Sequence, residues 1–134
     1  MLRSGWRPGP ASGMSGPVLV SVTDFTSARS RSLPGIARAG FGLRRSWPRL
    51  DGAVGLWLWA EPLARRTGAV SVWTDEEALR GFARWPPHTT IMRRYRGRGQ
   101  VRAMTWEAHR FDEAEVWRQA YRWLTRSTHV PEDM

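Results

Sequence analysis

The chain has 134 residues, 41% of them hydrophobic and 25% charged, a size and balance that suit one domain around one core. Its formal charge is +9, all of its basic side chains are arginine, and it has no cysteine, which excludes disulfides, thiolate metal sites and a cysteine nucleophile. It contains no apolar run of about 18 residues to span a bilayer and no apolar segment of a secretory signal, so a cytoplasmic protein with no membrane partner is expected.

Residues 1–16 (MLRSGWRPGPASGMSG) are rich in glycine, proline and serine and are expected to be disordered. Met14 is an alternative start, in which case residues 1–13 carry no function. Val18 to Phe25 is β-branched and alternating, which predicts a strand with Val18, Val20 and Val22 on one face. Leu33 to Trp47 carries an imperfect helical stripe, weakened by Gly35, Gly40 and Gly42 and ended by Pro48. Ala53 to Ala60 is a second strand, with Val54, Leu56 and Leu58 on one face and Trp57 and Trp59 on the other. Glu61 to Gly68 reads as turn, and Ala69 to Trp73 as a third strand with Val70 and Val72 opposite Ser71 and Trp73.

Thr74 followed by Glu77 predicts a capping box. The helix it opens buries Ala78, Leu79, Phe82 and Ala83 and breaks at Trp85-Pro86-Pro87-His88. A second helical piece with Ile91, Met92 and Tyr95 runs to Gly97. Val101 to His109 is a fourth strand in which Arg102, Met104, Trp106 and Ala108 share a face. Asp112 with Glu115 caps a last helix, Glu113 to Arg126, with Val116, Trp117, Ala120, Tyr121 and Leu124 inward.

The order β-α-β-β-α-β plus a C-terminal helix predicts an α+β, ferredoxin-like domain over residues 17–126, an antiparallel four-stranded sheet and a flexible tail at 127–134. Helices cover one face of such a sheet. Trp57 and Trp59, with Trp73 and Trp106 as candidates to join them, do not suit a wet opposite face: either a second copy covers it, or the tryptophans pack under the helices and the valines face the partner, and alternation leaves both open.

The run VSVWTDEEALRGFARWPPHTTIMRRYR resembles the third strand and second helix of the dimeric α/β-barrel superfamily, in its antibiotic-biosynthesis-monooxygenase-like branch. The shared features are the strand ending in Trp73, the capped acidic start Thr74 to Glu77, Phe82, and the break from Trp85 to His88. Trp85 replaces the usual small residue before the proline. The resemblance covers about residues 17–111. It implies a homodimeric α/β barrel with a pocket between helices and sheet, and a small monooxygenase-like enzyme acting on an aromatic or polycyclic molecule, as in secondary metabolism. A heme-binding member of the same superfamily and a noncatalytic ligand-binding or structural dimer are the alternatives. In heme-degrading members the ligand histidine falls about one turn after His88, near Met92 here, which counts against heme held in that way. No cofactor is otherwise expected.

Candidate catalytic residues are His88, an imidazole at a helix break where it can be aimed into a pocket, and Trp73, whose indole N–H can polarise a carbonyl. Trp57, Trp59, Phe82, Trp85, Met92 and Trp106 are the candidate substrate-binding residues, since flat rings stack on flat ligands. Asp24 is a candidate base, although a solvated strand-end aspartate is the simpler reading. His88, His109 and His129 lack metal-ligand spacing, so no metal is expected. Arg93, Arg94, Arg96, Arg98 and Arg102 form the densest basic run. The glycine-aromatic signature of RNA-binding sheets is missing, so nucleic acid is disfavoured as a partner.

Overall fold

A computed structural model of the chain describes residues 1–127. Six strands form one antiparallel sheet: β1 Leu2–Arg3, β2 Arg7–Pro8, β3 Val18–Ser27, β4 Ala53–Glu61, β5 Arg66–Trp73 and β6 Gly99–Ala108. The four long strands lie in the order β4-β5-β3-β6, and β1 and β2 pair along the outer edge of β4. The helices are α1 Leu33–Ser46, α2 Glu76–Arg84, α3 Pro86–Tyr95 and α4 Glu113–Ser127. This is the ferredoxin-like arrangement expected from the order of elements, with its second helix split at Trp85 and with α4 added. His129 and most of the predicted tail lie outside the described residues.

Two cores flank the sheet. On one face Val18, Val20, Val22, Trp57, Trp59, Val70 and Val72 pack with Val116, Ala120 and Leu124 of α4. On the other, Leu56 and Trp73 pack with Trp47, Leu79 and Phe82 beneath the remaining helices. The α4 face is therefore not bare. The apolar stripe of α4 covers it within the same chain, and Trp6 and Ala11 extend the cover.

The N-terminal segment departs from the expected disorder. Ser4 and Gly9 donate main-chain hydrogen bonds to the Leu58 and Val54 carbonyls, so the segment lines the edge of β4. Trp6 then stacks on Phe111 with ring centroids 4.9 Å apart and tilts against Trp57 at 4.4 Å. Gly55 makes room for that indole, since any side chain there would run into the Trp6 ring. Burying a tryptophan outweighs the disordering tendency of the glycines and prolines around it.

Two further differences have local causes. The register of β4 against β5 shifts between Ala53 and Gly55, a bulge that turns Val54 to the side of Trp57 and Trp59 instead of that of Leu56 and Leu58. The cap of α2 is Asp75, whose side chain accepts from the Ala78 amide at 2.9 Å, while Thr74 donates its own amide to the Gly52 carbonyl. At α4 the expected cap forms, with the Glu115 amide donating to Asp112. The predicted turn at Glu61–Gly68 narrows to Pro62–Arg65, because Arg66 enters β5 to meet Asp24.

Candidate functional site

The helix-side core ends in a group of rings that reaches the surface. Trp73 closes β5 and is 0% exposed. Trp47 follows α1 and stands 5.2 Å from Trp73 and 5.1 Å from Phe82. Phe82 of α2 lies 5.2 Å from Trp73, 6.1 Å from Trp85 and 4.4 Å from the His88 ring. These offset and edge contacts are the geometries aromatic pairs prefer. An open cleft of about 560 Å³ borders the group, walled by Leu50, Trp73, Phe82 and Trp85 and also lined by charged side chains, Asp51, Asp75 and Glu77 with Arg49 and Arg84.

Local sequence explains how the rings are aimed. Trp47 and Trp85 each precede a proline, which ends the preceding helix and pushes Trp85 into extended backbone at φ −65°, ψ 128°. Trp85 closes α2 and opens α3 at once, and the first turn of α3 carries His88 back toward Phe82. The His88 Nδ1–H faces the Ala83 carbonyl at 3.3 Å, which leaves Nε2 as the acceptor. Burial lowers the His88 pKa below its ordinary value and the Ala83 contact opposes this in part, so the imidazole is neutral near pH 7. His88 touches the wall ring Phe82 and is not itself among the residues bordering the cleft.

The tryptophans predicted to share a face divide between two. Trp57, Trp59 and half-buried Trp106 lie on the α4 side, whereas Trp73 lies on the helix side with Phe82 and Trp85. Trp73 follows Val72, whose side chain joins the α4 core, and the two-residue period of a strand sends it the other way. Its indole N–H is already donated to the Ser71 hydroxyl at 2.9 Å, so Trp73 is placed as a wall of the cleft and its N–H is engaged. Trp59 is likewise engaged, donating to the Thr23 carbonyl at 3.1 Å. Met92 is 43% exposed on α3.

Asp24 is not solvated. Its side chain is fully buried and bidentate with Arg66, at 3.2 and 2.7 Å, and Arg102 adds a bond at 3.0 Å. Arg66 also donates to the Leu124 carbonyl at 2.9 Å and lies over the Trp59 ring, which ties α4 to the sheet. Both oxygens of Asp24 are committed to arginine, in a buried structural ion pair.

Sequence reasoning missed Trp47. Its indole nitrogen is buried with no hydrogen-bond partner among the described residues, and its ring packs behind the cleft walls Trp73 and Phe82 without bordering the cleft itself. The repeated Trp-Pro pair is the signal that marks it. Among the described residues no three His, Asp or Glu side chains gather to hold a metal ion. The position one turn beyond His88 offers only exposed Met92, and the His88 ring is already packed on Phe82, so these residues do not suit heme.

No protein-family model matches the chain, and no curated protein matches it in sequence. Solved structures do match its fold. A protein of Nitrosomonas europaea assigned as an antibiotic biosynthesis monooxygenase superposes with a TM-score of 0.62 at 7% identity, covering 71% of this chain and 93% of its own. A dimeric ferredoxin-like protein of unknown function from Jannaschia gives 0.60 at 16% identity, over 68% and 99%. SnoaB, a cofactor-independent oxygenase from Streptomyces nogalater, gives 0.54 at 19% identity, over 72% and 97%. The chain has the fold of the dimeric ferredoxin-like and antibiotic-biosynthesis-monooxygenase-like proteins. The resemblance read from the sequence is thus matched at the level of the fold, over 68–72% of this chain.

Proposed function

We propose that this protein is a small monooxygenase-like oxidoreductase that acts on an aromatic or polycyclic molecule at the cleft beside Trp73, Phe82 and Trp85, as a cytoplasmic homodimer in secondary metabolism. One observation carries the reading: a half-buried neutral imidazole packed on Phe82, in a group of indole rings that opens to solvent. The partly exposed rings of Phe82 and Trp85 offer faces for a flat substrate. His88 stands behind the Phe82 wall, not on the cleft surface, and its Nε2 is the base for a substrate that reaches past Phe82. Removing a proton from an activated ring CH₂ leaves an electron-rich enolate, and that enolate reduces dioxygen. One oxygen atom becomes the new ring carbonyl, and the other leaves as water with the two hydrogens lost from carbon. The substrate supplies the electrons, so this step requires no flavin or metal.

The test is oxygen uptake with a panel of polycyclic phenols and anthrones. Turnover is expected in the wild type, with His88→Gln lowering kcat about 100-fold and Trp85→Ala raising KM. Undiminished turnover in both variants sinks the assignment. Ring binding without turnover makes the protein a carrier of such molecules instead.

The homodimer reading rests on β6. Its ten residues form an edge strand, and Val101 and Met104 are exposed on opposite faces. Light scattering of Met104→Arg against the wild type tests it: a monomer in the variant and a dimer in the parent support β6 as the contact.

A further inference from the structure

Charge is polarised along the strands. Where β3 and β4 begin, acids gather in the Asp51 turn, at the Asp75–Glu77 start of α2 and at the Asp112–Glu115 start of α4. The opposite end is built from three segments that main-chain bonds hold side by side. The Ser27 amide donates to the Arg65 carbonyl at 2.7 Å, the Ala28 amide to the Arg98 carbonyl at 2.9 Å, and the Arg65 side chain to the Ser27 carbonyl at 3.0 Å. These bonds bring exposed Arg29, Arg31, Arg65, Arg96 and Arg98 to one rim, and none of them has a carboxylate partner among the described residues. The described acids at this end are already matched: Asp24 lies between Arg66 and Arg102, and Glu61 lies 3.6 Å from the chain's amino group.

The same rim carries an apolar tip. Leu63 is 98% exposed at the head of the Pro62–Ala64 turn. The Arg65 amide closes that turn on the Pro62 carbonyl at 3.0 Å, with Arg65 in the left-handed region at φ 57°, ψ 37°, a conformation that disfavours any side chain. Exposed Leu2, opposite Ala60 in the pairing of β1 with β4, lies at the same end of the sheet.

We infer that this pole docks on an anionic lipid bilayer, with Leu63 entering the acyl boundary and the arginines engaging headgroup phosphates. A projecting leucine among guanidinium groups supplies the two signals that peripheral membrane binding needs, apolar insertion and attraction to anionic lipid. Nucleic acid fits less well. The segments at the rim, Ser27–Ser32, Pro62–Arg65 and Arg96–Gly99, contain no aromatic ring on which a base could stack. No described helix is long and apolar enough to cross a membrane, and surface docking does not require one.

The test is cosedimentation of the full chain with phosphatidylcholine vesicles containing roughly one third phosphatidylglycerol, against vesicles of phosphatidylcholine alone. Binding to the anionic vesicles, weakened by salt, is expected. Leu63→Asp should lower affinity about tenfold, and Arg29→Glu with Arg98→Glu at least as much. Arg80→Glu with Arg118→Glu, at the acidic end, changes net charge equally and should weaken binding far less. Circular dichroism confirms that each variant folds. Equal binding to both vesicles, equal loss from both arginine pairs, or full binding by Leu63→Asp overturns the inference. So does single-stranded RNA that displaces the protein from vesicles and loses affinity with the same rim variants, which would make the rim a nucleic-acid surface.

Discussion

The two faces of the sheet use tryptophan for opposite ends. On the α4 side, Trp57 and Trp59 are sealed under valines, α4 and Trp6, and the buried carboxylate of Asp24 is locked between Arg66 and Arg102. On the helix side, Trp47 and Trp73 are just as buried, but the group continues through Phe82 to half-buried Trp85 and His88. A closed aromatic core stabilises. An aromatic core that runs out to solvent beside a neutral imidazole has ring faces and a base to offer. The difference lies in what terminates each group, a helix lid in one case and a Trp-Pro break in the other.

Breaking the sealed face should cost the most. Asp24→Ala leaves the buried Arg66 guanidinium without its carboxylate and should destabilise by about 3–5 kcal/mol in urea unfolding. A loss below about 1 kcal/mol would show that this face is wet. Trp59→Ala should also lose about 3–5 kcal/mol through the cavity it leaves, with turnover per folded molecule unchanged. Phe82→Ala sharpens the contrast, because its ring is only partly buried. A loss of about 1–2 kcal/mol is expected, together with a large fall in turnover. Were Trp59→Ala to abolish activity and Phe82→Ala to spare it, the two faces would have to exchange roles.

The smallest effect is on pH. The folded-state pKa of His88 is lowered, so between that value and the ordinary one of about 6.5 the unfolded chain binds more protons than the folded one. Stability is full above pH 6.5 and declines as pH falls through this window. His88→Phe should flatten that acid limb in denaturation curves recorded from neutral to mildly acidic pH. An unchanged limb would show that His88 is fully solvated. Protonation also removes the Nε2 lone pair, so turnover should fall as pH drops through the lowered folded-state pKa, at the acid end of that window.

Much of the fold was legible because it depends on periodicity. Alternation in Val18–Phe25 and the apolar stripe of α4 are local patterns, and the order of elements follows from them. The split helix followed from Trp85-Pro86. What alternation does not carry is a bulge or a long-range partner. Val54 changes side because one extra residue enters β4, and Asp24 is buried because Arg66, 42 positions away, reaches it. The N-terminal strands depend on one contact, Trp6 over Gly55, that composition averages away. The tryptophan row keeps Trp57, Trp59 and Trp106 and loses Trp73 for the same reason. Rings on different strands share a face only when the register between the strands is known.

The bulge at Ala53–Gly55 gives the sheet a place to absorb change. Register downstream is held by the unbroken pairing from Gly55 with Val72 to Glu61 with Arg66, so Trp57 and Trp59 keep their side whatever happens in the turn before them. Insertions and deletions around residues 50–53 can therefore reshape the mouth of the cleft, where Leu50 and Gly52 stand, without turning the core inside out. In a lineage that must accept new ring systems, that uncoupling would let the entrance evolve faster than the body of the protein.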